Sequence, residues 1–228
     1  MTSLFSILII AHIAGGSAGL LSGTVATIAK KGQRIHKLSG LFFFFGMLCS
    51  SLTAIVISQL PGHKNIFLMA VGGFTLYMIL SGYRAIWLKR INKIQANPIG
   101  RSDYLLMFFA AAFGLFLIAI SVAEIGTGKM FGVVPLVFGL VCINYALLDY
   151  RLIAGKTTVK LSWMSNHITR MMGALIASYT AFLVVNVQIQ QSWILWLLPT
   201  LIGTILITRF LKKFAPRKSV QSVNNLSP

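Results

Sequence analysis

SLFSILIIAHIAGGSAGLLSGTVATIAKKGQRIHK, residues 3–37, opens with 27 residues that carry no charge and closes with four bases in eight positions, Lys30, Lys31, Arg34 and Lys37. A run of that length is too long for a strand and sufficient for a helix to cross the hydrocarbon core of a bilayer, which takes about 20 apolar residues. The bases after it suit the lipid head-group region. The first ten residues lack a basic leader and the positive charge follows the apolar run, so the stretch reads as a retained first span rather than a cleaved signal peptide.

Working outward, the same pattern recurs to the end of the chain. Apolar runs at 3–29, 38–60, 65–88, 104–126, 130–150, 162–187 and 193–211 predict seven transmembrane helices, hence an all-α integral membrane bundle over residues 1–213. Polar and glycine- or proline-bearing breaks separate them: PGHKN at 61–65, ANPIG at 96–100, GTGK at 126–129, AGKTT at 154–158 and QIQQS at 188–192. Residues 214–228 are polar and predict a disordered tail. Composition agrees, with 57% hydrophobic and 10% charged residues and a mean hydropathy of +0.83.

The formal charge of +17 would suggest nucleic acid in a soluble protein, but its placement points to lipid. Of 20 lysines and arginines, 18 fall on one side of the alternating spans and only Lys64 and Lys129 on the other. That asymmetry predicts an outside N-terminus and a cytoplasmic C-terminus. Trp87 and Trp163 then lie at the inner interface and Trp193 and Trp196 at the outer one. Expected partners are membrane lipids, with no nucleic acid, an unidentified small-molecule ligand and a homo-oligomer left open. Cys49 and Cys142 lie within separate apolar runs without metal-ligand spacing and read as packing residues.

Polar residues inside spans are the candidates for function. In the first span Gly15, Gly19 and Gly23 recur every four residues, a small-xxx-small stripe that admits a neighbouring helix backbone, and His12 lies on the same face. His12, Glu124 and Asn186 form an outer polar set, with a His12–Glu124 pair conceivable if spans one and four adjoin. The inner side is denser: Arg84, Asn144, Asp149, His167 and Arg170, with Tyr145 and with His36 opening span two. Arginines at membrane depth require a counter-charge or snorkelling, so Asp149 should pair with Arg170 or Arg84.

Three functional readings compete with a purely structural cluster. Transport or small-ligand binding would use His12, Glu124, Arg84, Asp149 and Arg170, with Pro135 and Pro199 the prolines inside spans. Haem would take two histidines at matching depth, His36 and His167 on the inner side, with His12 and His63 as an outer couple weakened by the loop position of His63. A zinc site of hydrolase type would combine His36, His167 and Asp149. The glycines of GTGK lack phosphate-loop spacing.

His12-x-x-Gly15-Gly16, the loop KKGQRIH at 30–36 running into Ser39-Gly40, and NHITRMMGALIASYTAFLVVN at 166–186 together resemble a family of bacterial multi-pass membrane proteins classed as a domain of unknown function. The resemblance implies a bacterial inner-membrane protein. It singles out His12, Gly15, Lys31, Gly32, His36, Gly40, His167, Arg170 and Gly173 as motif positions and assigns none a role. The three-histidine and aspartate pattern of seven-span zinc hydrolases, such as the adiponectin-receptor and ceramidase-like proteins, is lacking.

Overall fold

A computed structural model of the chain describes residues 2–94, 98–129, 132–190 and 193–214. Seven helices follow in order, α1 (Thr2–Ile28), α2 (Arg34–Ile57), α3 (Ile66–Ile91), α4 (Arg101–Gly126), α5 (Val133–Ile153), α6 (Val159–Asn186) and α7 (Trp193–Phe214). All seven are long and apolar enough to cross a membrane, so the chain is a multi-pass membrane protein built as a helical bundle. The expected tail lies outside the described residues apart from Phe214, which ends α7.

At the basic end, α2 to α7 each extend three or four residues beyond the apolar run that predicts them. The helical backbone satisfies its own hydrogen bonds wherever it lies, whereas hydropathy drops as soon as lysines and arginines begin to reach for the interface. Two lysines and an arginine there cover aromatic rings, Lys89 over Trp163 at 3.9 Å, Lys31 over Phe210 at 4.5 Å and Arg84 over Trp87 at 4.8 Å.

The centre of the bundle is α3, which packs against α2, α4, α5 and α6. Its Tyr77, Met78 and Ile79 are among the most enclosed side chains of the protein. Around it, α1 pairs with α2, α4 with α5, and α7 lies on α6. Both α1 and α3 contact α2 and α6, so these two stand diagonally across a four-helix group.

The α1–α2 pairing rests on the glycine stripe. A Cβ on Gly15 would come within 2.9 Å of the Gly46 carbonyl oxygen, and one on Gly19 or Gly23 would enter Met47 or Phe43. The backbones therefore touch as small-residue packing requires. The α4–α5 pair closes in the same manner, a Cβ on Gly114 meeting the Gly139 carbonyl oxygen at 2.9 Å and the reverse at 2.8 Å.

The KKGQRIH loop is a helix terminus in the structure. Lys31 Nζ donates to the carbonyls of Ala26 at 3.1 Å, Ala29 at 3.3 Å and Thr27, groups left without amide partners as α1 ends. Burial pushes the Lys31 ammonium below the usual lysine range while these carbonyls hold it in place. Gly32 makes the turn with φ +79°, a conformation that favours glycine.

Candidate functional site

Arg170, on α6, is 2% exposed and meets Asp149 of α5 through both terminal guanidinium nitrogens, Nη1 to Oδ2 at 3.3 Å and Nη2 to Oδ1. Tyr77 of α3 donates its hydroxyl to Asp149 Oδ2 at 2.7 Å. The guanidinium also lies 5.5 Å from the Tyr77 ring and 5.3 Å from that of Tyr145. A fixed fork of donors on a carboxylate, with aromatic faces around the cation, is the arrangement in which a buried charge is tolerated. Arg170 is thus the predicted partner of Asp149.

Arg84 takes another acid. Its Nε donates to Asp103 Oδ1 at 3.0 Å and its Nη2 to Oδ2 at 2.6 Å, while Asp103 accepts from the Gly100 amide at 2.8 Å. Asp103 lies before the apolar run of span four, yet it occupies the first turn of α4, where a carboxylate complements the helix dipole. Glycine followed three residues later by aspartate at a helix start was the signal in the sequence.

Between the two ion pairs lies a cavity of about 20 Å³, lined by Arg84, Asp103, Asp149, Asn166 and Arg170 among others. Arg170 Nε is buried beside it without a hydrogen-bond partner. Space of that order holds about one water molecule.

Asn144 does not belong to this cluster. It is exposed on α5, because one residue of helix turns the side chain by about 100° away from Tyr145 and it is five residues from Asp149. Pro135 lies in the first turn of α5, where its missing amide interrupts nothing, and Pro199 sits inside α7.

His167, one turn before Arg170, directs Nδ1 at the Gly82 carbonyl of α3, 3.2 Å away. Gly82 allows this approach, since a Cβ there would meet Arg170 and Met171 side chains at 3.2 Å. His36, in the first turn of α2, directs Nδ1 at the Ala26 carbonyl, 2.9 Å away. A carbonyl only accepts, so each Nδ1 carries a proton, which leaves Nε2 as the ring nitrogen available to a metal. The two rings have centroids 6.4 Å apart and planes crossed at 88°.

The three-residue zinc set is not assembled. Asp149 is held by Arg170 and Tyr77, and among the described residues no group of three His, Cys, Asp or Glu could hold a metal ion. The histidines come together and the carboxylate stays with its cation, because a buried arginine without a counter-charge would be far more costly than an imidazole without one.

The outer polar set is dispersed as well. Nδ1 of His12 donates to the Ser50 carbonyl at 2.9 Å and lies 3.1 Å from the Ser50 hydroxyl, both on α2. Glu124 pairs with Lys129 at 3.1 Å, and Asn186 donates to the Phe182 carbonyl one turn earlier in its own helix. His63 stacks on Phe5 with centroids 3.9 Å apart, so the outer histidine couple is also replaced by separate local partners. These contacts give His12 a packing role at the α1–α2 seam. Substitution of His12 by leucine is expected to cost about 1 kcal/mol in thermal unfolding of the detergent-solubilised protein. A loss above twice that figure would show that the imidazole has a further partner.

No family model, curated protein or solved structure matches this chain.

Proposed function

We propose that this multi-pass membrane protein resides in a bacterial cell membrane with its basic end in the cytoplasm, and that it binds a metal centre through His36 and His167. The observation that carries the reading is the pairing of two imidazoles from different helices, each oriented by a hydrogen bond from Nδ1 to a main-chain carbonyl. Metal-ligating histidines are held in this manner, the outer hydrogen bond setting both the tautomer and the ring direction. The bacterial placement rests on the sequence resemblance, and the orientation on the 18 bases gathered at one end.

Transport or small-ligand binding within the bundle draws less support. Transporter sites are commonly framed by discontinuous helices, whereas the seven helices here run without a break among the described residues. The cavity beside the ion pairs has room for water rather than for a substrate.

The test is elemental analysis of the purified full chain, as isolated and after incubation with iron, zinc or copper and removal of excess. Bound metal is expected in the wild type and its loss in His36→Ala and His167→Ala, each checked for a retained thermal transition. Retention of His12→Ala metal at the wild-type level is the matching control. A wild type that holds no metal under any of these conditions overturns the reading, as does full metal content in the two alanine variants.

A further inference from the structure

We propose that the basic end of α2 binds one anionic phospholipid of the adjoining leaflet, with Arg34 and Lys37 on its phosphate and the apolar stripe that follows them along an acyl chain. The site is separate from the histidine pair and does not depend on it. A hollow is the first support. Gly32, Gln33, Arg34, Lys37, Leu38 and Leu41 line an open depression of about 480 Å³. That volume is in the range of small-molecule sites, which set a few polar groups against apolar walls.

Charge is the second. The chain has three acids and all are engaged elsewhere, Asp103 by Arg84, Glu124 by Lys129 and Asp149 by Arg170. Among the described residues the side chains of Arg34 and Lys37 make no ion pair. They stand three residues apart on one helix, so each lies beside a like charge. The first turn of α2 holds no acid, and the helix dipole is itself positive there. An anion between the two bases relieves both repulsions, and no carboxylate side chain of the protein is free to supply it.

Shape is the third. At 3.6 residues per turn Arg34, Leu38, Leu41, Phe45 and Leu52 share one face of α2, with Lys37 at its margin and His36 on the opposite side. Those five and Lys37 are all exposed, so the other described helices leave that face open. From Leu38 to Phe45 the stripe runs about 10 Å along the axis, within the roughly 15 Å of hydrocarbon that one leaflet provides. Cations at head-group depth followed by apolar surface match a phospholipid, in which phosphate and acyl chain are joined in that order. A free phosphate would leave the leucines without a role.

The test is native mass spectrometry of the purified, delipidated full chain in detergent, titrated with phosphatidylglycerol or phosphatidylcholine of matched acyl chains. The first phosphatidylglycerol is expected to bind at least tenfold more tightly than phosphatidylcholine. Arg34→Gln with Lys37→Gln should weaken phosphatidylglycerol about 25-fold, roughly fivefold for each base removed, and leave phosphatidylcholine unchanged. Arg90→Gln with Lys93→Gln removes two exposed bases from the same end of the bundle and should change the affinity less than twofold. Glycerophosphoglycerol, the same head group without acyl chains, should bind at least tenfold more weakly than the whole lipid. Equal affinity of the wild type for the two lipids overturns the proposal. So do equal losses in the two double variants, which would reveal general attraction to a basic surface, and tight binding of the chain-free head group, which would assign the site to a soluble phosphate ester. Both double variants alter exposed side chains and should keep the wild-type thermal transition.

Discussion

Replacing Arg170 by methionine is expected to destabilise the protein by about 3–5 kcal/mol, because Asp149 and the Tyr77 hydroxyl would remain buried around a charge that no longer exists. Tyr77→Phe should cost less, about 1.5–3 kcal/mol, since it removes one hydrogen bond to an ionised acceptor and leaves the ion pair. Replacing both charged residues, Asp149→Leu with Arg170→Met, should recover much of the single-variant loss, as the desolvation of both ions is then avoided. Thermal or denaturant unfolding in detergent measures all three. A double variant no more stable than Arg170→Met would show that the pair contributes more through its shape and its aromatic contacts than through charge compensation. A single variant within about 1 kcal/mol of wild type would contradict the burial of this cluster altogether.

Gly46→Val is expected to separate α1 from the bundle. A Cβ on Gly46 would lie 2.7 Å from the Gly15 carbonyl oxygen and 2.8 Å from the Gly19 amide nitrogen, main-chain atoms that no rotamer change can move aside. Overpacking of this kind costs about 1–3 kcal/mol or more. The effect should be large in this position because α1 presents most of its apolar surface outward, with Ile7, Ile10, Ile13 and Leu21 all exposed, and depends on α2 for its main contact. Gly126→Ala is the control, since its Cβ would meet nothing within 4 Å. The expected readout is a lowered thermal midpoint together with new proteolysis in the α1–α2 loop. Equal behaviour of the two variants would count against the close crossing.

The Arg170–Asp149 pair was within reach of the sequence because span five holds one acid at its basic end and arginine at that depth has to find a carboxylate. Its rival, Arg84, was misdirected for a local reason. Asp103 falls one residue before the uncharged run begins, so hydropathy places it in a loop, although helix geometry and its bond to the Gly100 amide place it inside α4. Gly46 gave no signal of its own in FFFFGML, because the reason for the glycine is carried by Gly15 and Gly19 on another helix. Asn144 shows the opposite failure: proximity in sequence to Tyr145 and Asp149 suggested a shared site that helix rotation prevents.

What the sequence determined by itself is the number of helices, their approximate limits and the end of the bundle that gathers positive charge. Hydropathy and charge asymmetry are properties of consecutive residues, and the bilayer leaves few alternatives to a helix for each apolar run. Tertiary structure alone decided the partners: Asp103 for Arg84, Ser50 for His12, Gly46 for the glycine stripe, and His36 beside His167 without Asp149. Those choices depend on how far each helix is rotated and which helix stands opposite, and both are set by the summed packing of side chains around α3 rather than by any one segment.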